Sequence, residues 1–438
     1  MKRTTRLAVA CGAAIATVLP LVAPPAGADY APSGTDVVGV GSDTVQYAAD
    51  FAADGDHLAD IGYNGGGNLN KLINFDATPD ANARLAYGSE GVGGGQCAPG
   101  EGGTVGTGNA TATHADQPCT LNPTIVLRSG LTPTLRPNGS GAGGKAGRDD
   151  AAHHIDYVRA SAPQGATLSS SGVQWDSITI GNDPLAMLTA STTNGVPLSA
   201  NQLNLIYSCS ATTWNDARIG GTSPNTIIPI VPQVGSGTRG SFLGAIGNPT
   251  LGACVKTAEE NDPLAIRAQS SPADAIEPMS GGRLNLFLGT LGSGQSNGVG
   301  GYFQDPSCPP GSTAVPCADG TRTLAPAVTL VTSGTPGGSV GGPLFGISRP
   351  LYLYFRHADI ADVAPFGTDK PLQPGGIRNL VRELFYNPCS PGQTGCVTIG
   401  TTQYGPGGKP FFATPAGQAL VSAAGITPTY TYTANGPA

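Results

Sequence analysis

Basic residues are scarce in this chain: 22 Lys plus Arg stand against 29 Asp plus Glu in 438 residues, and they are spread thinly. That balance excludes the basic patch by which proteins grip nucleic acid. Charge of either sign is low, at 12% of residues, while hydrophobic residues make up 39%, so wholesale disorder is excluded as well. Beyond residue 28 no apolar run approaches the roughly 18 residues that a membrane span needs. Cys-x-x-Cys does not occur, and none of His57, His114, His153, His154 and His357 combines with a cysteine at a zinc spacing. No structural metal and no cofactor is therefore expected. In excess are glycine, 66, and proline, 38, which interrupt regular elements and exclude a coiled coil or helical bundle. Length and apolar content suffice for packed cores, two by this reading.

At the N-terminus Lys2, Arg3 and Arg6 precede an apolar run over 7–22 that ends in Ala26-Gly27-Ala28. This is the form of a cleaved secretory signal over residues 1–28, and it predicts an exported chain starting near Asp29. A lipid anchor at Cys11 is not expected, because only four residues separate it from Arg6. The other eight cysteines fall into neighbouring pairs: Cys97 and Cys119, Cys209 and Cys254, Cys308 and Cys317, Cys389 and Cys396. An even count in an exported chain reads as four disulfides. Eight cysteines allow 105 pairings, and neighbour pairing is expected because it closes the shortest loops.

Along the mature chain, residues 37–40 read as a strand and 45–53 as a helix, joined by Gly41-Ser42-Asp43-Thr44. Ser42, Asp43 and Thr44 are all helix-capping types, so the turn is either a cap and nothing more or an anion site at the positive end of a helix dipole. Residues 88–144 are dominated by Gly, Thr, Asn and Pro and predict irregular structure, ending in a glycine-rich loop that runs from Asn138 through Ser140 and Gly141 to Lys145. It lacks the spacing of a nucleotide-binding P-loop. A strand-like run over 155–161 delivers Arg159 and Ser161 near its end. Residues 177–188 read as a buried strand, 200–208 as a helix and 226–231 as a further strand. That last strand leads into Gly235-Ser236-Gly237-Thr238-Arg239 and a helix over 240–246, a second strand, hydroxyl turn and helix unit. A β run over 351–355 and helices over 379–385 and 414–424 close the chain. Strands alternating with helices predict an α/β fold with a largely parallel sheet, whose ligands sit beyond the strand carboxyl ends.

Four of these segments, in order and spacing, resemble the phosphate ABC-transporter substrate-binding protein family, of the two-lobed periplasmic-binding-protein type. They are Gly39 to Thr44, the Asn138 to Lys145 loop followed by Ile155 to Ser161, Leu205-Ile206-Tyr207 with Trp214-Asn215-Asp216, and Gly235 to Thr238. The resemblance implies two α/β lobes closing on a dehydrated oxyanion, phosphate or a similar ion, with an ABC permease as partner. It carries over Ser42, Asp43, Thr44, Ser140, Gly141, Gly235, Ser236, Gly237 and Thr238 as ligand-binding positions, with Ser161 beside them. Two departures stand out. The family's arginine three residues before the Gly-Ser-Gly-Thr turn is here Pro232, which leaves Arg159 or Arg239 to supply the cation. Its carboxylate after the Ala160-Ser161 segment is here Ala162, which leaves Asp43 or Asp156 for that role. The implied division is a first lobe of 29–184 plus 346–438 and a second of 185–345, with two hinge crossings and glycine-rich insertions at 88–130 and 303–343.

Two other classes compete. Gly294-Gln295-Ser296-Asn297-Gly298 fits the nucleophile-elbow pattern, with His357 downstream, and would make a secreted serine hydrolase through Ser296. An adhesion protein would use the hydroxyl turns only as helix caps.

Overall fold

The computed structural model describes residues 32–55, 60–66, 68, 70–77, 124–189, 198–261, 265, 269–283, 290–291, 295–296, 329–331, 348–361, 378–389, 392 and 394–437. The segment expected to be a signal, Cys11, the Cys97, Cys119, Cys308 and Cys317 pairs, and most of both glycine-rich insertions lie outside the described residues.

A ten-stranded sheet organises the fold. Its strands are β1 (Val37–Gly41), β2 (Leu72–Asn74), β3 (Tyr157–Ala160), β4 (Trp175–Thr189), β5 (Ile228–Pro232), β6 (Lys256–Ala258), β7 (Ala275–Ser280), β8 (Thr329–Val331), β9 (Ser348–Arg356) and β10 (Thr427–Thr433). They run in the order β2-β1-β3-β9-β4-β7-β5-β6, with β8 and β10 also paired to β4. The helices that matter here are α1 (Asp43–Asp54), α2 (Ser140–Asp149), α3 (Ala200–Tyr207), α4 (Gly237–Ala245), α5 (Arg378–Leu384) and α6 (Pro415–Ala423).

The sheet is mixed, not largely parallel. β1 runs parallel to β2 and β3, and β5 parallel to β6 and β7. Between those two groups every pairing is antiparallel, and the reason is β4. Its first part, Trp175 to Pro184, pairs with β9, and its last part, Leu185 to Thr189, with β7. One 15-residue strand thus runs through both halves of the sheet, and β9 returns beside it in the opposite direction.

Packing divides at the same place. Alternation along β1 sends Val37 to one face and Val38 and Val40 to the other, and both faces are buried. Val37 joins Phe51, Tyr157, Leu353, Phe385, Phe412 and Leu420 under α1, α5 and α6, while Val38 and Val40 pack with Val158, Leu168, Trp175 and Tyr354. A third cluster, Leu185, Met187, Leu203, Tyr207, Trp214, Val231, Phe242 and Ile276, draws only on 185–276. The disulfides Cys209–Cys254 and Cys389–Cys396 are formed as expected.

One local expectation fails. The glycine-rich stretch ending at Lys145 is not a loop: residues 140–149 are helix α2. Glycine is a poor helix former, but here it permits contact that larger residues would block. A Cβ on Gly143 would stand 2.5 Å from the Gly41 Cα, and one on Gly147 2.7 Å from a Val158 methyl. Close packing against β1 and β3 selects these glycines, and the helix begins with Ser140 buried at its first position.

Candidate functional site

Both hydroxyl turns follow the end of a parallel strand and open a helix. β1 ends at Gly41, Ser42 is the N-cap of α1, and Asp43 and Thr44 form its first turn. β5 ends at Pro232, Ser236 is the N-cap of α4, and Gly237 and Thr238 form its first turn. The sheet brings the two turns into contact although nearly two hundred residues separate them. The Thr44 and Thr238 hydroxyls lie 3.1 Å apart.

Ser140 and Ser161 complete the cluster. Ser42 Oγ donates to Ser161 Oγ at 3.2 Å, Ser140 and Ser161 hydroxyls are also 3.2 Å apart, and the Ser161 N–H donates to Ser140 Oγ at 2.9 Å. Gly237 fits against them: a Cβ there would stand 2.3 Å from Ser161 Oγ and 2.4 Å from Ser140 Oγ. The glycine is thus required by the close approach of α4 to the two serines. The Gly141 N–H donates to the Gly235 carbonyl at 2.9 Å, and Gly235 itself has φ +93°, a conformation that favours glycine. Ser42, Thr44, Ser140, Ser161, Ser236 and Thr238 are all buried.

Neither arginine offered by the sequence bonds to the hydroxyls of this cluster. Arg159 is buried, but its Nε donates to the Ser42 carbonyl at 3.2 Å, its Nη2 to the carbonyls of Gly41 at 3.1 Å and Phe75 at 2.8 Å, and its Nη1 to the Asn74 side chain. It ties β1, β2 and β3 together, and burial lowers its pKa. Arg239 donates to the Pro232 carbonyl at 2.7 Å, a contact within its own turn. The cation bonded to the hydroxyls is Arg349, at the start of β9. Its Nη2 donates to Thr238 Oγ1 at 2.9 Å and Thr44 Oγ1 at 3.3 Å, and with Nε it grips Asp183 Oδ2 at 2.8 and 3.1 Å. Its Nη1 is buried without a hydrogen-bond partner. The sequence signal for it was a lone cation opening the buried run at 351–355.

Carboxylates surround the cluster. Asp43 accepts from Asn261 Nδ2 at 2.9 Å and from Arg283 Nη2 at 3.3 Å, and the Arg283 guanidinium lies 4.0 Å over the Tyr47 ring. Glu259 accepts twice from the Asn138 side chain, at 3.1 and 3.0 Å. Glu260 accepts from the Asp43 N–H at 3.3 Å and from the Ser236 hydroxyl, and burial followed by the Asp43 charge holds its carboxyl above the usual range. Sequence reasoning passed over this acidic pair, which follows β6 directly. Asp156 lies elsewhere: it accepts from Arg128 Nη2 at 2.5 Å and the Val38 N–H at 2.7 Å, and burial pushes it up to about 7.

Of the hydrolase pattern, Gly294, Asn297 and Gly298 lie outside the described residues. Ser296 lies in a two-residue strand, paired with Thr290. His357 Nδ1 sits 2.7 Å from Asp176, which also accepts from the Tyr432 hydroxyl at 2.7 Å. Among the described residues no His, Cys, Asp and Glu group could hold a metal ion, and no helix is long and apolar enough to cross a membrane. A described cavity of about 490 Å³ beside β2, lined by Lys71, Asn74, Asp76 and Arg136 among others, shares no residue with the hydroxyl cluster.

The cluster presents hydroxyls, backbone N–H groups at two helix starts and a guanidinium in a buried setting, where charge-assisted hydrogen bonds are stronger than in water.

No curated protein matches this chain. Solved structures that resemble it include a putative phosphate ABC transporter substrate-binding protein with bound phosphate from Clostridium perfringens, 15% identical, TM-score 0.38, covering 66% of this chain and 85% of that one. A phosphate-binding protein from Stenotrophomonas maltophilia is 12% identical, TM-score 0.35, with 66% and 82% covered. An ABC-type phosphate transport receptor from Vibrio cholerae is 18% identical, TM-score 0.26, with 47% and 68% covered. The family model of the PBP superfamily domain matches residues 83–277, which include Ser140, Ser161 and the whole second hydroxyl turn. Over residues 83–277, somewhat less than half of its length, the chain is similar to the PBP superfamily domain, and the described residues form a mixed α/β fold.

Proposed function

We propose that this protein is an exported solute-binding protein that closes two lobes on a tetrahedral oxyanion, phosphate first among them. The observation that carries the reading is the convergence of Ser42 to Thr44, Ser140, Ser161 and Ser236 to Thr238 in one buried cluster with Arg349. Each charge-assisted hydrogen bond to a buried anion contributes about 1.5–3 kcal/mol, so several together offset a desolvation cost of several kcal/mol. In this reading the guanidinium that the family pattern places at the position of Pro232 comes instead from Arg349. The lobes are 29–184 with 346–438, and 185–345, with β4 as one crossing between them. Export follows from the signal over 1–28, and an ABC permease is the partner that would receive the ion.

Melting the protein across phosphate, arsenate, sulfate and molybdate tests the reading. Phosphate at about 100-fold its dissociation constant is expected to stabilise by roughly 2.7 kcal/mol. A flat response to all four ions rejects oxyanion binding and leaves the hydroxyls as caps.

A further inference from the structure

The two helix starts do not face an empty space. Both turn their donors on one carboxylate of the chain itself, Glu260, which lies two residues beyond the end of β6 and is fully buried. One of its oxygens accepts the N–H of Asp43, the first residue of α1, at 3.3 Å. The other accepts the hydroxyl of Ser236, the N-cap of α4. The Thr238 hydroxyl and Arg349, which holds Thr238 at 2.9 Å, both favour its charged form. The backbone is pinned to suit, since the Glu260 N–H donates to the Gln233 side chain at 2.7 Å.

This is the donor set that the proposed function needs for its ligand, drawn from both sides of the cleft. A carboxylate and an oxyanion are both anions that chiefly accept, so they compete for the same N–H and O–H groups. Held side by side in a buried site they would also repel each other. Asp43 adds a further negative charge next to the spot, and burial disfavours the ionised form of Glu260, so this carboxylate is a poorly stabilised occupant.

On the basis of that reading, we propose that Glu260 is a built-in occupant of the anion cradle: its carboxylate latches the ligand-free cleft shut between α1 and α4, and an entering oxyanion binds by displacing it. The latch explains why the two halves meet closely around the cluster with a side chain of the protein's own at its centre.

The test combines small-angle scattering, which reads closure without a ligand, with calorimetric titration of inorganic phosphate, on the whole exported chain carrying Glu260→Ala or Glu260→Gln. Ligand-free wild type is expected to be compact and to change little on adding phosphate. Ligand-free Glu260→Ala is expected to be expanded, to close with phosphate and to bind it at least tenfold more tightly. Glu260→Gln, which keeps the shape and loses the charge, is expected to lie between them and serves alone if the alanine variant does not fold. Variants as compact as wild type without ligand overturn the latch, and so does weaker phosphate binding, which would make Glu260 a direct contact of the ligand. If no form binds any oxyanion but the variants still open, the latch stands and the oxyanion reading falls.

Discussion

The starts of α1 and α4 share one sequence signature, a hydroxyl residue placed between a buried strand and a helix, yet they are completed differently. Ser236 caps its own helix: its Oγ accepts the Arg239 N–H at 3.0 Å. Ser42 occupies the same N-cap position and makes no such bond. Its hydroxyl reaches away to Ser161, and the first N–H of α1 is satisfied instead by Glu260, 217 residues further along the chain. One helix start is closed by its own sequence and the other by the opposite half of the molecule. The lesson is that a capping residue does not fix where its oxygen goes, because the cap bond competes with whatever tertiary contact the fold brings within reach.

The largest effect expected from disturbing this arrangement is at Arg349, which touches both starts through Thr44 and Thr238. Arg349→Met leaves Asp183 as a buried charge without its partner, which costs about 3–5 kcal/mol. Urea denaturation should show that loss, and phosphate titration should show no binding. Wild-type stability in this variant would mean that the guanidinium contributes nothing to holding the halves together.

Next comes the self-capped start. Ser236→Ala with Thr238→Ala removes two hydroxyl donors and should weaken phosphate binding at least tenfold, about 1.4 kcal/mol. Loss of the cap alone should lower stability by about 1 kcal/mol. Unchanged calorimetric affinity would remove this turn from the ligand contacts.

A pH profile sharpens the same comparison from the side of Glu260. Its carboxyl, facing Asp43 and Arg349, is raised by burial, and burial raises Asp156 to about 7. Folded protein therefore keeps protons that the unfolded chain has released above about pH 4. Stability should fall as pH rises from about 4 toward 7, because the native state binds more protons across that window. Denaturation midpoints at pH 4, 5.5 and 7 check this, and Glu260→Gln should flatten part of the slope. A midpoint that rises over the window would contradict the sign.

The smallest effect is expected at the start completed from outside. Ser42→Ala breaks no cap bond and removes only the hydrogen bond to Ser161, about 0.5–1.5 kcal/mol, with phosphate binding weakened less than in the Ser236 and Thr238 double variant. Calorimetric affinity lowered as far as in that double variant would show that the two starts are alike after all.

Much of the frame was legible in the sequence because it rests on local rules. Apolar runs marked β1, β3, β4, β5 and β9, hydroxyl residues marked the starts of α1 and α4, and the helix expected over 200–208 carries a full capping box between Ser199 and Gln202. The glycines around 139–147 misled in both respects that local rules address. They read as an irregular loop whose backbone could approach a ligand and gave a helix packed on β1, since a missing side chain reads the same whether it makes room for an ion or for another backbone. The cation misled for a related reason. Arg159 lies on the right strand near the right serines, but four backbone and side-chain acceptors stand around the end of β1, and only assembly of the sheet shows that its donors are engaged there.

By itself the sequence determined the class of fold, the two hydroxyl turns and the pairing of the cysteines that the structure describes, because strand alternation, helix capping and short loop closure act over a few residues to a few tens. Only the tertiary structure decided which charges meet those turns. Arg349 and Glu260 come from distant segments with no motif of their own, and electrostatic contacts act between whatever groups the sheet brings within a few ångströms, whatever their separation along the chain.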